Sequence, residues 1–185
     1  MTRFLVVALT VAMTPLAASE VRAQSLSPVS LEATLGMGKG WTGGEYLGNR
    51  SGVAADVLLG VRLRHLGGGA LVAGLGASAQ GAGASESACR PAAGGGCVPS
   101  FPDFLTVAPL AGWESVGGVF RVLLGPAFVQ ASGEGGALGV QGRLDLAVPI
   151  IRHLGAVASI RPTLIPDYRG DAIGLLAFGL GLRIR

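Results

Sequence analysis

The chain closes on Ala172 to Arg185, AIGLLAFGLGLRIR, in which Leu176, Phe178, Leu180, Leu182 and Ile184 are large and apolar. Between them stand Ala177, Gly179, Gly181, Arg183 and Arg185, small or charged. The period is two, which describes a β-strand with one apolar face. The same alternation recurs upstream, giving eight predicted strands: Pro28 to Gly38, Gly52 to Arg64, Gly69 to Gln80, Phe104 to Ser115, Gly118 to Gln130, Ala137 to Val148, His153 to Ile165 and Ala172 to Arg185.

Composition agrees with apolar material dealt out in short pieces. Half of the residues are hydrophobic and mean hydropathy is +0.57, yet past the first residues no run is long and charge-free enough for a helical span. The 32 glycines and ten prolines interleave with Leu, Val and Ala instead of clustering as linkers would. The N-terminus has its own logic. Arg3, the apolar run Phe4 to Met13, Pro15 and the small-x-small sequence Val21-Arg22-Ala23 form a secretory leader, expected to occupy residues 1–23, with cleavage after Ala18 as the alternative. The run is shorter than the ~20 residues of a spanning helix. Residues 24–185 would then be one domain. The formal charge of +3 falls to +2 without Arg3, Glu20 and Arg22, too little and too scattered for a nucleic-acid partner.

Connections and faces add independent information. Lys39 to Ser51, Gly81 to Asp103, Ala131 to Gly136 and Pro166 to Asp171 are longer or more polar; His65 to Gly68, Val116 to Gly117 and Pro149 to Arg152 are short. Such alternation suits tight turns at one end of a barrel and freer loops at the other. Parity places Leu31, Leu35, Val57, Leu59, Val61, Leu63, Leu71, Leu75, Leu105, Val107, Trp113, Phe120, Val122, Leu124, Phe128, Val140, Leu144, Leu146, Ile160 and Leu164 on the outer face, none of them charged. Inward fall Glu32, Asp56, Arg62, Glu114, Arg121, Arg143, Asp145, Arg161 and Arg183, a candidate lumen charge network. A charge facing hydrocarbon at the bilayer midplane costs about 2–4 kcal/mol, whereas opposite charges and water meet it in a lumen. A soluble closed barrel would sort the other way.

The leader, the eight amphipathic segments and the terminal Leu/Phe strand resemble the small bacterial outer-membrane barrels of the OmpA and OmpX type. The resemblance is architectural and spans the mature chain. It implies an all-β, eight-stranded antiparallel up-and-down barrel in the outer membrane of a Gram-negative-type bacterium. Members usually end on an aromatic residue; this chain ends Arg183-Ile184-Arg185. Interfacial aromatics are few, Trp113 and Phe120 at one rim and Phe104, Phe128 and Tyr168 at the other. Pro109, Pro126 and Pro162 fall inside predicted strands, where each removes a ladder hydrogen bond.

Chemical motifs are scarce. Gly74-Leu-Gly76-Ala-Ser-Ala79 imitates a dinucleotide turn, but the following Gln80-Gly-Ala-Gly83 opens a helix poorly, so small lumen residues are the better reading. No cofactor and no metal site is expected: His65 and His153 fall at predicted short turns without carboxylates. Cys89 and Cys97, in the longest loop of an exported chain, are expected to pair as a disulfide, with free thiols or a metal pair as rivals. If Gly117-Gly118 form a two-residue turn, Glu114 stands opposite Arg121 inside, Trp113 opposite Val122 and Pro109 opposite Pro126 outside, which predicts a lumen ion pair; a rim pair is the alternative.

Two function classes follow. One is a structural or surface-interaction barrel with a plugged lumen and no catalysis, touching outer-membrane lipid and lipopolysaccharide, and envelope or external proteins through loops 39–51 and 81–103. The other is a lipid A-modifying envelope enzyme of deacylase or acyltransferase type. That chemistry needs a nucleophile with a base beside it, and both histidines sit at the end away from the outer leaflet. A solute pore is disfavoured because eight strands leave an interior filled by side chains.

Overall fold

The protein is represented by a computed structural model, which describes residues 28–42, 50–81, 90–91, 97–98, 103–132, 135–168 and 170–185. The expected leader lies outside the described residues. Eight antiparallel strands hydrogen-bond in a closed ring: β1 (Val29–Thr42), β2 (Arg50–Leu66), β3 (Gly69–Gln80), β4 (Phe104–Ser115), β5 (Phe120–Ala131), β6 (Gly136–Ile151), β7 (Leu154–Tyr168) and β8 (Asp171–Ile184). Each pairs with its neighbours in sequence, and β8 returns to β1 through partners running from Leu31 with Ile184 to Thr42 with Ile173. Closure leaves the sheet no free edge. Between β3 and β4 the backbone also pairs Arg90–Pro91 with Cys97–Val98.

Strict alternation puts large apolar side chains outside. Leu35, Val53, Leu124, Leu138 and Leu180 are among the most exposed residues, while Leu58, Leu123, Arg121 and Asp145 are almost completely buried. All twenty apolar residues assigned above to the outer face are exposed.

Strand ends depart from the sequence expectation. Strand β1 continues to Thr42 and β2 begins at Arg50, so the connection expected over Lys39 to Ser51 shrinks, and Trp41 stands on a strand, facing outward. Strands β7 and β8 extend to Tyr168 and Asp171, leaving only residues 169–170 between them. That connection, expected to be longer, is as tight as those at the opposite end. Gly170, at φ 88°, supplies its left-handed step, and its N–H donates to Asp167 Oδ1 at 3.1 Å.

Phe104 and Tyr168 also differ from expectation. They are buried inside, with ring centroids 6.0 Å apart in an edge contact, instead of joining an interfacial belt. Phe104 shares the parity of inward Thr106 and Ala108, and the register shift between Asp171 and Ile173 turns Tyr168 inward. Trp113, Phe120 and Phe128 do face outward, as does Trp41. Trp113 and Phe120 lie 6.5 Å apart, and the rings of Trp113 and Trp41 cover Gly69 and Gly174 of the neighbouring strands.

The prolines interrupt the ladder without ending a strand. Strands β4 and β5 pair from Phe104 with Ala131 to Val107 with Phe128, and resume in the same register from Ala111 with Leu124. Pro109 and Pro126 fall in the gap, both on the outer face, so the lost donors share one interruption.

Candidate functional site: a charged bore closed at one end

One end of the barrel carries the start of β1, the end of β8 and the turns at 67–68, 116–119 and 152–153; we call it the terminus end, and the opposite one the loop end. The inward positions at which the sequence carries charge lie in the middle of β2, β6 and β7, at the start of β1 and β5 and at the end of β4 and β8, with Arg62 toward the end of β2.

Glu32 on β1 is directly opposite Arg183 on β8 and accepts from its Nε at 2.6 Å. The same carboxylate accepts from Arg121 and, at 3.1 Å, from Arg143 Nη2. Asp145 on β6 takes Arg121 Nη2 at 2.6 Å and Arg143 Nε at 2.8 Å. Asp56 on β2 accepts from Arg143 and from the Thr34 hydroxyl, and lies 3.3 Å from Arg161 Nη1. These groups are buried, so each charge has left water and must be met by its neighbours. Three arginines sharing two or more carboxylates supply that compensation, with planar forks that address two oxygens at once.

Glu114 and Arg121 are Cα partners on the inner face and form the expected ion pair, with Arg121 Nη1 3.8 Å from Glu114 Oε2 and no hydrogen bond between them. The hydrogen bonds go elsewhere: Arg62 Nε donates to Glu114 at 2.8 Å, while Arg121 donates to Asp145 and Glu32. Length explains the exchange. A guanidinium on β5 spans the narrow bore to other strands, so register alone does not choose its partner.

Arginines at the end of the chain close the terminus end. The turn after β4 is not a simple two-residue turn: Val116 to Gly118 form one 3-10 turn, Gly117 and Gly118 have φ of 77° and 70°, and the Phe120 N–H donates to Ser115 Oγ at 2.9 Å. Arg183 Nη1 donates to the Gly118 carbonyl at 2.7 Å. Arg185 donates to Gly117 O at 3.0 Å and to Gly118 O at 2.8 Å. The clamp joins β8 to a hairpin across the bore. Just past β8, burial lowers the Arg185 guanidinium to about 10, with Glu114 opposing the shift, so it remains charged at neutral pH.

Toward the loop end the interior changes character. Leu58, Val72, Phe104, Leu110, Leu123, Val129, Ile165, Tyr168, Ile173 and Leu175 pack as one apolar cluster, which fills the loop end and runs down one side of the bore to Leu58, Val72 and Leu123, the Cα partners of Glu32, Arg62 and Arg143. The sequence reading missed this plug, and it missed Arg185 and Thr34; inward parity carried through every strand, Arg185 sharing the face of Arg183, would have found all but Tyr168, which a register shift turns inward. Beside Arg161 is a cavity of about 10 Å³ lined also by Ser78, Ala79, Gln80, Thr106, Gln141, Thr163, Leu175 and Ala177.

Other features of the sequence stay apart from the bore. His65 and His153 are exposed at the terminus end, and Gly74 and Gly76 belong to a strand. Among the described residues no group of three or more His, Cys, Asp or Glu is placed to hold a metal. Cys89 lies outside the described residues.

A closed eight-stranded ring, apolar outside and charged within, is the architecture of the small outer-membrane β-barrels. Neisserial surface protein A shares it, with a TM-score of 0.57 at 14% identity over 85% of this chain and 97% of that one. The attachment invasion locus protein Ail of Yersinia pestis is similar at 13% identity and a TM-score of 0.42, covering 84% of this chain and 98% of that one. Its complex with the heparin analogue sucrose octasulfate gives 14% and 0.45, over 84% and 97%. By sequence, no protein-family model and no curated protein matches.

Proposed function

We propose that the protein is exported through a cleaved leader to the outer membrane of a Gram-negative-type bacterium, where it acts as a structural or surface-interaction barrel, neither a pore nor a catalyst. The observation that carries this reading is the double sorting of the wall: apolar residues cover the outside while charged and apolar side chains fill the bore. A filled bore leaves the loop end as the surface through which partners are met. The connections after β1 and β3, at 43–49 and 81–103, are the natural contact segments, toward lipopolysaccharide and toward other envelope or external proteins. Lys39 and Trp41, outward on β1 next to the first of these loops, suit the phosphate and acyl parts of an outer-leaflet glycolipid. The fold of Neisserial surface protein A supports the membrane assignment.

Fractionation with a heat-modifiability gel tests the proposal. The expected result is an outer-membrane band whose mobility shifts on boiling, with lipid A of unchanged mass in the expressing cells. A soluble periplasmic product overturns the membrane reading, and a new lipid A species overturns the non-catalytic one.

A further inference from the structure

The charges inside the bore balance, and those at its rim do not. Four buried arginines, Arg121, Arg143, Arg161 and Arg183, meet four buried carboxylates, Glu32, Asp56, Glu114 and Asp145. Arg62, Arg64, Arg152 and Arg185 are left over at the terminus end. Arg62 and Arg185 still lean on Glu114 at the mouth of the bore. Arg64 and Arg152 are exposed and have no ion pair or hydrogen bond among the described residues. Among residues whose side chains are described, the carboxylates that reach solvent are Asp103, Asp167 and Asp171, all at the loop end. The terminus end thus presents a cationic rim that no exposed carboxylate answers.

Arg64 faces outward because of a bulge. Strict alternation would give it the inward parity of Arg62, but the register shifts between the two, so that Arg62 pairs with inward Val72 and Arg64 with outward Leu71. Leu71 pairs in turn with Trp113. An arginine, a leucine and a tryptophan therefore form one outward row across β2, β3 and β4, about 10 Å from the first backbone to the last. The indole edge that bears Nε1 lies over Gly69, two residues nearer the terminus end than Leu71. Like the Arg64 guanidinium, the Trp113 Nε1–H has no acceptor among the described residues. Exposed Leu63 and Phe120 flank the row, and the Phe120 ring lies 6.5 Å from Trp113.

We propose that this row binds the phosphate of an anionic phospholipid in the leaflet around the terminus end. The proposal rests on the membrane reading above, in which the loop end meets lipopolysaccharide and the terminus end the opposite leaflet. The Arg64 fork offers paired donors to phosphate oxygens, and the indole N–H adds another at the depth where aromatic rings meet headgroups. Leu63 and Leu71 lie alongside the acyl chains. Soluble phosphate could use the donors but gains nothing from these apolar neighbours. The uncompensated rim selects a headgroup of net negative charge, since a zwitterionic one brings its own cation to a surface already rich in them.

The test uses the purified chain carrying Trp41→Phe, which leaves Trp113 as the reporter, in phosphatidylcholine vesicles with increasing fractions of brominated phosphatidylglycerol or brominated phosphatidylcholine. Bromine quenches an indole that it touches, so the two titrations give the relative association of the two headgroups at Trp113. Phosphatidylglycerol is expected to associate about fivefold more strongly, the effect of one cationic side chain at an anionic lipid surface, with the preference shrinking at high salt. Arg64→Gln should bring the ratio close to one, while Arg152→Gln, across the rim, should leave it unchanged. Equal quenching by the two lipids, a preference that survives Arg64→Gln, or one that Arg152→Gln lowers as much would each overturn the site and leave the membrane reading standing. No quenching by either lipid would overturn both.

Discussion

Replacing Glu32 by glutamine removes one charge from the most shared carboxylate of the bore while keeping its shape. The carboxylate accepts from Arg121, from Arg183 Nε at 2.6 Å and from Arg143 Nη2 at 3.1 Å, with its side chain fully buried. A hydrogen bond involving a charged acceptor contributes about 1.5–3 kcal/mol and a neutral one about 0.5–1.5. Glutamine retains one oxygen, able to keep two of the bonds in weakened form, and turns an NH2 group toward the third donor. Two weakened bonds and one lost bond come to about 4 kcal/mol, within the ~3–5 kcal/mol measured for orphaning a buried charge. Urea unfolding in detergent, followed by the fluorescence of Trp41 and Trp113 on the outer face, reads the loss. A double-mutant cycle with Arg183→Met should give coupling of about 1.5–3 kcal/mol, and the Glu114→Gln and Arg121→Met cycle a smaller value, since those two groups stand 3.8 Å apart. A loss below about 1 kcal/mol for Glu32→Gln, or no coupling with Arg183, refutes the view that this carboxylate organises the bore.

Gly36→Ala should destabilise strongly, toward or beyond the upper end of the ~1–3 kcal/mol of ordinary overpacking, because a Cβ there collides with the Phe178 carbonyl oxygen across the closing seam, while Gly68→Ala, with no atom within 4 Å, should stay within about 0.5 kcal/mol by the same urea assay. Leu144→Arg, placed outward and opposite Ile160 of β7, should cost about 2–4 kcal/mol in lipid vesicles if that face meets hydrocarbon, and an unchanged unfolding curve would count against the bilayer assignment. For Cys89 and Cys97, we expect alkylation of unreduced protein from the envelope to leave both unmodified; two labelled thiols would exclude the disulfide.

The eight strands and their faces were legible in the sequence because a strand exposed to an apolar medium on one side and closed on the other must alternate, and Leu176 to Arg185 does so without a break. Trp41 was misplaced in a loop because Lys39 and Gly40 interrupt the apolar count on β1, although Lys39 keeps outward parity. Phe104 went to a rim because aromatic residues near strand ends suggest an interface, while its parity with Thr106 pointed inward. The inward position of the charges follows from periodicity, but their partners do not. Register set Glu114 opposite Arg121, whereas the reach of a long side chain across a narrow bore gave Arg62 to Glu114 and Asp145 to Arg121.

The ion pair between Glu32 and Arg183 stands at the seam where the first strand meets the last, the one pairing in the barrel that no hairpin turn can set. A slip of one residue there would turn every side chain of β8 to the wrong face and is excluded by apolar sorting alone. A slip of two keeps every face correct, since the alternating Leu, Gly and Ala of both strands read almost the same two positions on. A slip that brings Arg183 opposite Ser30 would leave Glu32 facing Gly181, and one that brings it opposite Thr34 would set Arg185 opposite Glu32 only by breaking its hydrogen bonds to Gly117 and Gly118. Hydrophobicity thus chooses the face, and the pairing of residues 32 and 183, with Arg185 held on Gly117 and Gly118, chooses the rung that closes the ring in one register.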